Sequence, residues 1–277
     1  MDRKLIFLDV DGTLTRPGSN EVPPSALAAI RAARRAGHRV FLCSGRSLGM
    51  LAPLLSLGFD GVVASAGGYV LCGEELLFDC PMTERQRTVA LRLMAENGVF
   101  RTLEARDACY CDEGVRDFLA VQCGGGSEVL RWRSALEKEL GIRPMAEYDG
   151  RALYKIVFHC EREAQLAPVI AALGEEFCFQ LQEDETYRYC HGEIINRRFD
   201  KGRAVRRVAR RLGVALADTV GFGDSRNDLE MLRTVGLGVC MGGGSPALRA
   251  VSRMVCPAVE EDGLAAAFRE LGLSAQA

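Results

Sequence analysis

Three short, mainly apolar runs, each spaced from the next by a stretch of helical pattern, constrain the fold of this chain most. The runs are KLIFL at Lys4–Leu8, RVFLC at Arg39–Cys43 and GVVA at Gly61–Ala64. Each is short enough for a strand and apolar enough to be buried on both faces. Between them the spacing predicts a helix from Ser25, as N-cap, to about Ala36, with Gly37 as the stop. A second helix is predicted over Ser47–Leu57, closed by Gly58. Strand, helix, strand, helix, strand at this spacing means parallel strands joined by crossover helices.

The rhythm changes near Tyr69. YVLCGEELLFDC reads as a β-hairpin around Gly73. Then comes a mixed section: a helix over about Glu84–Asn97, strands at Phe100–Glu104, Ala108–Cys111 and Tyr154–Cys160, and a helix to Leu173. Two further helices are predicted near Val115–Gln122 and Val129–Leu140, and FCFQLQ and TYRYCHGEII read as strands. From Lys201 the first rhythm returns, with a helix over Gly202–Leu212, strands at Thr219–Gly223 and Gly238–Met241, and helices at Ser225–Leu232, Pro246–Val251 and Gly263–Leu271. The expected organisation is a Rossmann-like α/β core with a parallel sheet, built from residues 1–82 and 193–277. An α+β domain, residues 83–192, is inserted into it.

Composition narrows the function classes. Lys plus Arg number 35 against 37 Asp plus Glu, a formal charge of −2, which speaks against a nucleic-acid binder driven by bulk charge. With 48% hydrophobic residues, the chain can bury a sizeable core. No apolar stretch is long enough to cross a membrane, and the first residues do not read as a signal peptide. The 11 cysteines include no CxxC pair. Cys109 and Cys111 have no histidine motif beside them, so packing rather than zinc is expected of them. The reading is a cytoplasmic protein with reduced thiols.

Chemistry concentrates at predicted strand ends. Asp9 and Asp11, in FLDVDGTLT, follow the first strand, and in extended chain residues i and i+2 face one side. So close a pair needs a cation, or one member keeps a proton. An isolated D-G dipeptide suits a plain turn as well. In GFGDSRNDLEML, Asp224 ends another strand and Asp228 lies in the next helix's first turn. Each suits a helix start by itself, as a cap or a dipole-favoured acid. Taken with Asp9 and Asp11, they form an acidic cluster from two distant segments, which a hard cation explains better. Ser44 and Gly45, in CSGRS, offer a hydroxyl and approachable backbone N–H groups for an anion, or an ordinary N-cap and turn. Lys201 opens a helix, where its charge opposes the dipole, in a chain of four lysines against 31 arginines.

Together, DVDGT at 9–13, SGR at 44–46, KG at 201–202 and GDSRNDLEML at 223–232 resemble the haloacid dehalogenase superfamily, and within it the Cof-type hydrolases. The resemblance implies a Mg²⁺-dependent phosphomonoester hydrolase for small phosphorylated metabolites, such as sugar phosphates or phosphorylated cofactors. It implies Asp9 as the nucleophile that forms an aspartyl-phosphate and Asp11 as general acid and base. It further implies Mg²⁺ on Asp9, the Asp11 carbonyl, Asp224 and Asp228. Ser44, Gly45, Lys201 and Asn227 would serve the phosphoryl oxygens, and Thr13 would steady the loop. Ala66 and Gly243 stand where relatives often carry Asn. The inserted section resembles the cap that chooses the leaving alcohol, with Arg106, Tyr110, Arg188, Tyr189 and His191 as candidates that are expected to face solvent. The expected partner is a small metabolite, with no nucleic acid or membrane, and the expected state is a monomer or homodimer. The alternatives are a phosphomutase using the same intermediate, a receiver-type phosphoacceptor and a phosphate-binding protein.

Overall fold

A computed structural model describes residues 3–115, 142–181 and 189–274. The chain divides into two compact units. One comprises Met1–Arg46, Leu51–Asp79 and Phe199–Ala277; the other comprises Ser47–Met50 and Cys80–Arg198.

The first unit is built on an eight-stranded sheet in the order β14-β13-β12-β1-β2-β3-β4-β5. Its strands are β1 (Leu5–Leu8), β2 (Arg39–Cys43), β3 (Gly61–Ala64), β4 (Tyr69–Cys72), β5 (Glu75–Asp79), β12 (Thr219–Gly223), β13 (Leu237–Cys240) and β14 (Met254–Val255). Pairing is parallel from β14 to β3 and antiparallel through β4 and β5, the hairpin around Gly73. β1 is buried at every position, as an all-apolar run in a doubly covered sheet must be. On one face Phe7 stacks on Phe41 at 5.3 Å and joins Val205, Val208 and Met231. Phe222 and Phe268 make a second aromatic contact, also at 5.3 Å.

The helices of this unit are α1 (Pro24–Arg35), most of α2 (Leu48–Leu55), α5 (Lys201–Leu212), α6 (Leu229–Thr234), α7 (Pro246–Val251) and α8 (Gly263–Glu270). Helix α1 starts one residue before the expected cap. Pro24 takes the first helical position, where its missing N–H costs nothing, and no side chain caps the helix. Ser25 instead hydrogen-bonds Asp262. α2 ends at Leu55; the Leu57 and Gly58 N–H groups then close a tight turn onto the Leu54 and Leu55 carbonyls. In α5, Ala204, Val205, Val208 and Ala209 are buried, while Arg203, Arg206, Arg210 and Arg211 are exposed. Asp200 caps it by accepting the Arg203 N–H at 2.7 Å, and Gly213 ends it in the left-handed conformation. The Asp200 cap fixes the helix start so that Lys201 is its first residue.

The second unit carries a six-stranded sheet in the order β10-β11-β9-β6-β7-β8. These strands are β6 (Phe100–Ala105), β7 (Cys109–Cys111), β8 (Ile142–Pro144), β9 (Leu153–Cys160), β10 (Phe177–Leu181) and β11 (Cys190–Asn196). Helices α3 (Glu84–Glu96) and α4 (Ala167–Leu173) pack on it through Ala90, Met94, Val169 and Leu173 against Leu103, Ile156, Phe158 and Phe177. α3 opens with a capping box between Thr83 and Gln86. At alternate positions the strands bury polar groups instead. Lys155 Nζ lies 3.1 Å from Glu104 Oε1 and also pairs with Glu193. The helices expected near 115–122 and 129–140 lie, beyond Val115, outside the described residues, as does the start of the strand expected from Thr186.

Candidate active site

The strand order reverses direction at β1. The chain runs outward through β2 and β3 on one side and through β12, β13 and β14 on the other. Ligand sites in open α/β sheets form at such a switch point, beyond the carboxyl ends of the strands. The register pairs Leu8 with Phe222 and with Leu42, so Asp9, Gly223 and Cys43 follow on three adjacent strands. Asp9, Asp224 and Ser44 therefore leave the sheet at one edge.

Asp9 is 4% exposed, and its N–H continues the ladder to the Phe222 carbonyl at 3.0 Å. Its Oδ1 accepts from Lys201 Nζ at 2.6 Å. Lys201 Nζ also donates to Asp228 Oδ1 at 2.6 Å and to Asn227 Oδ1 at 3.1 Å. Asp228 turns its other oxygen onto the backbone N–H groups of Asp224 and Ser225 at 3.1 and 3.2 Å. That back-bonding splits the helix expected over Ser225–Leu232 into a 3₁₀ turn, Arg226–Asp228, and α6. It also fixes Asp228, fully buried, beneath Asp224. Gly202 lets α5 approach this corner: a Cβ there would stand 2.3 Å from the Glu230 carbonyl oxygen.

Carboxylate oxygens of Asp9, Asp224 and Asp228 lie within 4.8 Å of one another. Burial raises the Asp9 carboxyl from 3.8 to about 7; the Asp228 charge adds to that and Lys201 opposes it. Burial, with the Asp9 and Asp228 charges, also holds Asp224 well above the carboxylate range. Burial works against the Lys201 charge, but Asp228 and Asp9 outweigh it and hold the ammonium firmly protonated. Three acids facing one ammonium make a group that could hold a cation. Asp224 Oδ1 is buried and has no hydrogen-bond partner among the described residues. An all-oxygen set with a free lone pair suits a hard cation.

Asp11 stands apart. Its carboxylate is gripped by Arg46, with Nε on Oδ2 at 2.9 Å and Nη2 on Oδ1 at 2.7 Å, and it accepts the Gly18 N–H at 2.9 Å. The turn between the two aspartates depends on Gly12, at φ +80°, where a Cβ would lie 2.4 Å from Asp224 Oδ2. Thr13 is buried, with its N–H on the Val10 carbonyl at 3.3 Å. Ser44 is buried and its hydroxyl accepts the Arg46 N–H at 3.1 Å, so the turn 44–46 is preformed one strand away. Ala66 occupies the left-handed region at φ +56°, which Asn tolerates better, and the space around Gly243 is open.

The structure thus brings Asp9, Asp224, Asp228, Lys201 and Asn227 into one hydrogen-bonded group. Arg46 received no role from the sequence. Its signals were a place in the SGR stretch at 44–46 and a charge inside a turn of small residues. In the second unit, Tyr110 and His191 are not solvent-facing as expected. Tyr110 is fully buried against Tyr148, and His191 stacks on His159. Arg106 is exposed, Tyr189 is half-buried, and Arg188 lies outside the described residues.

A parallel α/β sheet with an acidic group and a buried lysine at its switch point defines a class of phosphoryl-handling hydrolases. The family profile of haloacid dehalogenase-like hydrolases matches residues 6–268. YkrA of Bacillus subtilis (strain 168) is 30% identical over 99% of each chain. A protein of Yersinia pseudotuberculosis serotype O:1b (strain IP 31758) named HMP-PP phosphatase is 27% identical, over 89% of this chain and 86% of that one. The crystal structure of a protein from Geobacillus kaustophilus HTA426 superposes with a TM-score of 0.81 at 24% identity, over 98% of this chain and 100% of that one. The chain therefore belongs to the haloacid dehalogenase-like hydrolases and is a phosphatase of that family. No described helix is long and apolar enough to cross a membrane.

Proposed function

We propose that this phosphatase is a Mg²⁺-dependent, cytoplasmic phosphomonoester hydrolase of small phosphorylated metabolites, sugar phosphates or phosphorylated cofactors, working through an aspartyl-phosphate on Asp9. The observation that carries the reading is the buried Asp9 carboxylate, bonded to Lys201 and within reach of Asp224 and Asp228. Asp9, Asp224, Asp228 and the Asp11 carbonyl would hold Mg²⁺, which supplies charge stabilisation to the phosphoryl group and keeps Asp9 ionised. An Asp9 oxygen forms a bond to phosphorus as the ester P–O bond breaks. The electron pair stays on the leaving oxygen, which takes a proton from Asp11. Asp11 then accepts a proton from the water that attacks the acyl phosphate, releasing phosphate and restoring Asp9. Lys201, Ser44 and the Gly45 N–H meet the charge that spreads over the phosphoryl oxygens, while Asn227 steadies Lys201. The inserted section, 83–192, supplies the groups that choose the leaving alcohol. The relative named as an HMP-PP phosphatase supports the small-metabolite class.

The test is phosphate release from a panel of phosphorylated metabolites with Mg²⁺, together with mass spectrometry for a hydroxylamine-sensitive phosphoryl adduct on Asp9. Asp9→Asn and chelation should each abolish turnover. Full activity in either case would refute the reading.

A further inference from the structure

We propose that Arg46 is a positioning residue that makes the two opening aspartates unequal: it withholds the Asp11 carboxylate from the cation cluster and aims it as the proton carrier. This rests on the reading of Asp11 as general acid and base given above.

Arg46 is 2% exposed, an expensive place for a guanidinium unless every face is satisfied. Its fork spans both oxygens of Asp11. Behind the fork, Nη1 donates to Asn20 Oδ1 at 2.6 Å and Nη2 to the Ser19 carbonyl at 2.9 Å. Its backbone is held as well, with the N–H on Ser44 Oγ at 3.1 Å and the carbonyl on the Ser65 N–H at 2.8 Å. Four hydrogen bonds to three residues thus fix the side chain, and Asp11 is its one carboxylate partner among the described residues.

Asp9 and Asp11 are two residues apart at the end of one strand, so a divalent cation on Asp9 attracts both carboxylates. Among the described residues, Asp9, Asp224 and Asp228 bring carboxylate oxygens within 4.8 Å of one another. Asp11, engaged by the fork and by the Gly18 N–H, does not join them. A planar fork fixes the carboxylate in position and in plane, which an ammonium cannot do. A carboxyl group held in plane and off the metal can, when protonated, present that proton to a leaving oxygen and, once ionised, take one from the attacking water.

The test compares leaving groups in the first turnover, by rapid quench, at saturating Mg²⁺. An alkyl phosphate needs its leaving oxygen protonated, whereas an aryl phosphate of an acidic phenol does not. Arg46→Met should slow the alkyl ester by about 100-fold or more, the scale of general acid catalysis, and the aryl ester by less than about 10-fold. Arg46→Lys should restore little of the alkyl rate, and Asn20→Ala should show the same skew at smaller size. Calorimetry without substrate should show Mg²⁺ binding to Arg46→Met about 10-fold more tightly, because the freed Asp11 adds a ligand charge. Equal loss on both esters, or an unmoved Mg²⁺ affinity, would overturn the proposal. If Arg46→Met fails to fold, a uniform loss in Asn20→Ala and Arg46→Lys overturns it equally. Asp11→Asn separates the two ideas. Skew in Asp11→Asn but not in the Arg46 variants sinks Arg46 alone; no skew in Asp11→Asn sinks the proton-carrier reading and the proposal with it.

Discussion

Withdrawing the cation should make this protein less stable as pH rises, the reverse of ordinary acid sensitivity. In the unfolded chain the Asp9 carboxyl ionises near 3.8; in the folded, metal-free protein burial and Asp228 raise it to about 7. Between those values the folded state holds a proton that the unfolded state has released. The metal-free protein therefore carries its full Asp9 contribution below about pH 4 and loses it as pH climbs to about 7. At about 1.4 kcal/mol per pH unit over about three units, the loss is on the order of 4 kcal/mol. Asp224, raised by the same burial, pushes in the same direction. Mg²⁺ held on the cluster would stabilise the ionised forms and cancel the loss, so stabilisation by Mg²⁺ should grow steadily from pH 4.5 to 7. Urea unfolding in EDTA and in excess Mg²⁺, at half-unit pH steps, measures it directly. Asp9→Asn should make the EDTA curve shallower across the window, leaving the share that Asp224 contributes. Parallel pH curves with and without Mg²⁺ would show that the three acids do not share a cation.

Gly12→Ala should cost about 1–2 kcal/mol from the left-handed backbone alone and should also displace Asp224. Mg²⁺ affinity by calorimetry should fall far more than the unfolding midpoint, and an unchanged affinity would contradict the close approach. In the second unit, Lys155→Met removes the cation that Glu104 and Glu193 share and should destabilise by about 3–5 kcal/mol. Urea unfolding checks this, and a loss under about 1 kcal/mol would mean that the pair is well solvated.

The parallel strands were legible because each is a run of apolar residues with no polar alternation, and that pattern has few other uses. The convergence of Asp9 with Asp224 followed from the same logic, since both end such runs. Lys201 was legible as an anomaly, a cation at the positive end of a helix, and its partners Asp9 and Asp228 account for it. Arg46 was not legible as a partner of Asp11. Its contacts reach across the sheet end to residues 11, 19 and 20, and nothing local records them. Tyr110 and His191 were misread because the sequence does not record which way the strands of the second sheet face: Tyr110 lies in its apolar cluster, and His191 is buried beside His159. The start of α1 moved because proline's backbone suits the first helical position as well as a side-chain cap does.

The bond between Lys201 and Asp9 closes a loop of 192 residues, and the central strand pair β1 and β12 joins ends still further apart. On a ribosome, β1 emerges first and waits. Its partner β2 follows soon, but the other edge of β1 stays open until the chain has passed Gly223. Nearly all of the second unit, Cys80–Arg198, is made in that interval as one continuous segment with its own sheet and core. Folding there first would replace a long floppy loop by a compact one and lower the entropy cost of the final closure. β1, buried at every position, is therefore also a strand whose second edge stays open for most of synthesis. Substitutions that slow folding of the second unit should appear as aggregation through β1, with every residue of the acidic site intact.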